Sequence, residues 1–183
     1  VPADDLVCFK LTWPYVRAAP AIEVWQAWAP DAPDELAASL LVNAPGNVEE
    51  PVVTLFGAML GSETETADAL DRLIVRLGSE PTSTTLQQES HRAAKRFLAE
   101  HAPGVEHQGD ESQVEPSRPS VMLSRSEFFG RPLPPGAIAS LVDAVAAGKE
   151  PGRARELDFT PWGGAYNRTR VEATAFPHRS ERF

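Results

Sequence analysis

Leu36-Ala37-Ala38-Ser39-Leu40-Leu41-Val42-Asn43 and Val52-Val53-Thr54-Leu55-Phe56-Gly57-Ala58-Met59-Leu60 are two strand-like runs separated by Ala44-Pro45-Gly46-Asn47. Pro fixes φ, while Gly and Asn reach conformations that other residues avoid, so the intervening cluster is turn chemistry. A short connection between two strands returns the chain antiparallel, and the pair predicts a hairpin. The second run is nearly all apolar, as expected of a strand in the middle of a sheet.

Outward from this hairpin the pattern continues. Leu6–Trp13 sets Val7, Phe9, Leu11 and Trp13 against Cys8, Lys10 and Thr12, the period-2 alternation of a half-buried strand. After Pro14, Ala18, Ile22, Trp25 and Trp28 recur at helical spacing until Pro30 and Pro33. Ser62 with Glu65 makes a capping box for a helix through Leu77, whose stripe is Ala69, Leu70, Leu73, Ile74 and Leu77. A similar Thr85/Gln88 pattern predicts a second, polar helix from Thr85 to His101. Residues 103–119 lack periodicity and read as a loop, and Ser120–Phe129 returns to strand character. Pro132–Pro135 introduces a helix through about Ala147, ended by Gly148, with Ile138, Leu141, Val142 and Val145 inward. Two last strands are expected, Arg153–Phe159 and Ala165–Ala173, around Gly163-Gly164. Meander pairs with helices between them predict an α+β fold, an antiparallel sheet covered by helices on one face.

With 183 residues, one domain is the default, large enough to bury about 70% of its unfolded surface. The 17 basic and 26 acidic residues give a net charge of −9 with no basic stretch, which argues against a nucleic-acid partner. Arg168, Arg170, Arg179 and Arg182 cluster near the end, beside Glu172 and Glu181, and read as a solvated strand face. Cys8 is the sole cysteine, so no internal disulfide forms; apolar runs are far short of a membrane span and no secretion signal opens the chain. No membrane partner and a cytoplasmic location are the expectation, with secretion of the full-length protein as the alternative. Val1 and the early start of the first strand suggest a chain that begins inside a longer protein.

No Gly-x-Ser-x-Gly elbow, phosphate loop, Gly-x-Gly-x-x-Gly or His-Glu-x-x-His occurs. His91, His101, His107, His178 and Cys8 lack metal-ligand spacing, so no metal is assigned. His178, between Pro177 and Arg179, reads either as an anion-polarising imidazole or as a strand-start residue bonding a carbonyl. Trp13, Trp25 and Trp28 are expected in the core, whereas Trp162 beside Gly163 has the setting to face a planar ligand. Asn167-Arg168-Thr169 fits a glycosylation acceptor, a tripeptide common by chance.

Pro161-Trp162-Gly163-Gly164-Ala165, followed by Ala173-Thr174-Ala175-Phe176-Pro177-His178-Arg179, resembles the substrate-binding domain of berberine-bridge-enzyme-like, FAD-linked oxidoreductases. Trp25–Pro30, Pro33–Leu36, Leu55–Gly61 and Ser124–Phe129 occur in the same order as in bacterial members. The resemblance implies that residues 1–183 are one substrate-binding domain of a larger flavoenzyme. Its FAD-binding domain, on the same polypeptide, precedes and follows this one and carries the cofactor, often tethered through a His and a Cys. Neither tether has a match here, because Cys8 starts the first strand and no histidine fits the motif.

In such a domain the sheet lies over the isoalloxazine ring. Gly163 and Gly164 would form a close-packed turn near the flavin, with Ala165 opening the next strand. Asp158, Trp162 and Tyr166 are the substrate-facing candidates, Asp158 equally readable as a solvent-facing acid on an edge. Phe176, His178 and Arg179 would position the following strand. That strand contributes an active-site side chain in the family, with a tyrosine base farther on, so no catalytic residue is assigned within the chain. The function implied is oxidation of an alcohol, sugar or secondary-metabolite carbon of a small-molecule substrate, by hydride transfer to flavin. The competing reading is a stand-alone ligand-binding or dimerising α+β domain without redox activity.

Overall fold

A computed structural model describes residues 6–46, 50–101, 123–147 and 152–183. The hairpin stands at the centre: β2 (Leu36–Ala44) and β3 (Val52–Leu60) pair antiparallel. Strand β1 (Leu6–Pro14) lies along the other side of β3, and β5 (Arg155–Phe159) along the other side of β2. With β4 (Ser83–Glu89) outside β1, the described strands run β4-β1-β3-β2-β5, every pair antiparallel. The fold is the α+β antiparallel sheet expected, corrected in one respect: helices lie on both faces of the sheet and not on one.

Register sorts the side chains cleanly. Phe9, Leu11, Trp13, Leu36, Ala38, Leu40, Val42, Val53, Leu55, Met59 and Phe159 share one face and one core. Helices α1 (Ala18–Trp28), α2 (Glu63–Leu77) and α4 (Pro135–Ala146) cover it. Trp25, fully buried, donates its Nε1–H to the Ala38 carbonyl at 2.8 Å. Trp13 likewise donates to the Ser79 carbonyl at 2.9 Å, so each indole buries its ring and satisfies its polar edge. Ser62 and Glu65 form the capping box of α2, and Gly78 ends it at φ 62°. Gln26 docks α4: its amide donates to the Leu133 carbonyl at 3.1 Å and accepts the Leu133 N–H at 2.8 Å.

On the opposite sheet face, α3 (His91–His101) seats Ala94 and Phe97 over Cys8 and Ala58. Here the expected Thr85–His101 helix is corrected. Ser83–Glu89 is an edge strand, and the helix begins at His91, after Ser90, whose Oγ accepts the Ala93 N–H. The Ser-Thr-Thr run favours extended backbone, and an edge strand needs no continuous apolar face. Two other strands are also corrected. Residues 123–129 have no regular structure, and the Ala165–Ala173 run is a one-turn helix, α5 (Ala165–Arg168), followed by a 3₁₀ turn at Val171–Ala173. The loop at 103–119, with His107, and Gly148 lie outside the described residues. Among the described residues no helix is long and apolar enough to cross a membrane.

Candidate functional site

Strand β5 alternates, so Phe159 enters the core while Asp158 and Glu156 face away from α1, α2 and α4. On that face Asp158 stands opposite Leu41, and Glu156 opposite Asn43. Thr54 and Phe56 extend the face along β3, both buried. Desolvation raises the Asp158 carboxyl above the usual aspartate range, although the residue as a whole stays solvent-exposed and water screens the effect. Glu156 is raised first by burial and then by the charge of Asp158 two residues away. Asn43 adds a buried Oδ1 with no hydrogen-bond partner among the described residues. An orphan acceptor of this kind costs about 1–3 kcal/mol until a donor reaches it. Two carboxyls and an acceptor on one sheet face can grip a ligand that offers N–H or O–H groups.

The second region is the terminal layer, residues 160–183. Gly163 is pressed on the turn at Ala29–Asp31: a Cβ there would stand 1.9 Å from the Pro30 carbonyl oxygen. Gly164, at φ 65°, turns the chain beside Asp34 into α5, so Ala165 opens a helix and not the expected strand. Arg168 pairs with Asp34 and Arg182 with Asp31, the latter at 2.7 Å. Arg170 faces Glu172, and Arg179 donates to Thr174 Oγ1. The expected strand of arginines is corrected, because a one-turn helix and a 3₁₀ turn stand in its place; Arg168 and Arg170 are solvent-exposed as expected, each beside a carboxylate.

Aromatic rings fill the layer. Trp162 stacks on Phe176 at 5.2 Å and meets the edge of Tyr166 at 4.8 Å. His178 stacks on Phe128 at 4.4 Å, and Arg179 lies 5.0 Å over Phe176. His178 Nδ1 stands 3.7 Å from Glu181. Asn167 donates its amide to the carbonyls of Arg179 and Glu181, at 2.8 and 2.9 Å. Backbone bonds from Trp162 N to Arg182 O and between Phe129 and Arg182–Phe183 hold the last residues extended. Phe183 itself is buried against Trp25, Phe129 and Phe159.

The structure thus brings Trp162, Tyr166, Phe176, His178 and Arg179 together. No hydrogen bond or ring contact among the described residues joins Asp158 to them. Trp13, Trp25 and Trp28 are core residues as expected, and His91 and His101 share α3. Among the described residues no cluster of His, Cys, Asp and Glu could hold a metal. Glu156 and Asn43 were missed from sequence. The signal for Glu156 was present in its spacing of two from Asp158; that for Asn43 lay in the cross-strand register, which no local pattern reveals.

No protein-family model matches the chain. Berberine bridge enzyme-like D-1 of Nicotiana tabacum is 29% identical over 164 residues, 86% of this chain and 28% of that protein. A solved berberine bridge enzyme variant in complex with (S)-reticuline has a TM-score of 0.68 at 21% identity, covering 97% of this chain and 34% of that one. Phl p 4, a grass pollen allergen with glucose dehydrogenase activity, gives 0.66 at 20% identity, again 97% against 34%. The chain spans about a third or less of the length of these proteins. The solved structures show the same fold, and the tobacco relative supports the berberine bridge enzyme-like family.

Proposed function

We propose that residues 1–183 are the substrate-binding domain of a larger FAD-linked oxidoreductase. That enzyme would oxidise an alcohol, sugar or secondary-metabolite carbon of a small molecule by hydride transfer to flavin, the FAD held mainly by the rest of the polypeptide. The observation that carries this reading is the likeness over 97% of this chain to only 34% of larger enzymes of that kind, one binding reticuline and another with glucose dehydrogenase activity. A bacterial source and a cytoplasmic location belong to the same proposal, the first resting on the order of the sequence motifs.

The residues present fit the cofactor's heterocycle. Asn43 Oδ1, buried and without a donor among the described residues, lies on the sheet face opposite the main helices, where a flavin ring N–H would satisfy it. No glycine-rich phosphate loop occurs in the sequence, so the diphosphate belongs to the rest of the polypeptide. When bound, flavin supplies the two-electron acceptor. The chain's own carboxyls then act on the substrate. Asp158, retaining its proton to higher pH than an ordinary aspartate, donates a hydrogen bond to a substrate oxygen or, once ionised, accepts one. Glu156 lies along the same strand face, and the charge of Asp158, once ionised, adds to the burial that raises the Glu156 carboxyl.

The test is expression of the polypeptide with its flanking coding sequence. Flavin absorbance in the purified protein is expected, and Asp158→Asn should lower kcat/KM about tenfold or more while leaving flavin content unchanged. A folded full-length protein that neither carries nor takes up flavin would sink the reading.

A further inference from the structure

The rings of the terminal layer are packed against one another but not covered. Phe128 keeps 40% of its surface exposed and Tyr166 47%, while Trp162, Phe176 and His178 are only half-buried. All five lie within 4.4–6.4 Å ring contacts, so their open edges form one continuous surface. A cavity of about 560 Å³ adjoins it, lined by Phe128, Phe129, Arg131, Pro132, Leu133 and Pro134. Contiguous exposed aromatics with an arginine across a ring are the composition of an interface centre, not of ordinary surface. Isolated exposed residues elsewhere, such as Val75 on α2, have no such company.

From this surface and the lengths of the relatives, we infer that the Phe128–Trp162–Tyr166–Phe176–His178 face and its adjoining groove are where the rest of the same polypeptide docks. The inference rests on the reading of the chain as one part of a larger enzyme. The solved relatives match 97% of this chain within chains about three times longer, so about two thirds of each remain to cover it. The docked portion offers apolar side chains to the ring edges and fills the groove beside Phe129. Burial of the aromatic layer then fixes how this domain sits on its neighbour, while the Asp158 face is left to the ligand.

Thiol labelling of the full-length polypeptide tests this. Tyr166→Cys and Phe128→Cys probe the face, each made separately, and Val75→Cys, at a position 79% exposed, is the reference. Cys8 is fully buried and stays silent while the fold is intact, so its reaction identifies any variant that has failed to fold. Tyr166→Cys and Phe128→Cys are expected to react at least about tenfold more slowly than Val75→Cys, independent of protein concentration. Rates within about twofold of the reference overturn the inference. So does protection that vanishes on dilution, which would make the occupant a second copy. Flavin absorbance of the same samples separates the two claims: protection without flavin keeps the docking face and sinks the flavoenzyme reading, and flavin with open thiols does the reverse.

Discussion

Gly57 and Gly163 meet the same obstacle in two regions built differently. A Cβ at Gly57 would stand 1.9 Å from the Ala37 carbonyl oxygen, and one at Gly163 equally close to that of Pro30. Gly57 is locked by strands on both sides, under the Phe9 ring, with neither backbone free to move. Gly163 rests on a turn from a layer held by a few backbone bonds, the Asn167 amide and two ion pairs. Identical local sterics therefore have different reach. In the sheet a clash is global; in the terminal layer it is confined.

The comparison can be broken by experiment. Gly57→Ala is expected to destabilise the whole domain by about 3 kcal/mol or more, seen as one shifted urea transition by every probe. Gly163→Ala should cost about 1–3 kcal/mol and release the layer first, so that the ring signals of Trp162 and Tyr166 change before the sheet unfolds. A single shared transition for Gly163→Ala would show that the layer is part of the core after all. Asn167→Ala should cost about 1 kcal/mol, again in the layer.

The smallest effect concerns pH. Asp158 and Glu156 have folded-state pKa values above their unfolded ones, so the folded protein binds more protons in the interval between them. Their contribution to stability is favourable below the raised values and is lost as pH rises through them. The double variant Glu156→Gln with Asp158→Asn should be more stable than the parent at neutral pH, with the difference vanishing toward acid. Thermal unfolding across pH measures it, and an unchanged or reversed difference would discount the desolvation of this face.

Alternation and capping made the sheet centre, α1, α2 and α4 legible in the sequence, since each is fixed by side chains close along the chain. Thr85–Glu89 was misread because a Thr-x-x-Gln pattern also fits an edge strand, and only pairing with β1 decides it. Ala165–Ala173 failed for a related reason. Gly164 at positive φ turns the chain, and Asp34, far away in sequence, supplies the partner for Arg168. At the site, the resemblance singled out Asp158, and only the pairing of β5 with β2 places it on the face away from the main core. A close approach at Gly163 was legible, but its partner was not, because Pro30 comes from a turn far away along the chain.

Gln26 has a consequence for how such a domain tolerates change. Its carboxamide grips both backbone groups of Leu133, and the Tyr15 hydroxyl donates to the Val142 carbonyl at 2.5 Å, so α4 is located by addresses on the first helix and its lead-in. A lineage that changed Gln26 would therefore have to find α4 another address, although every residue of the helix itself stayed the same.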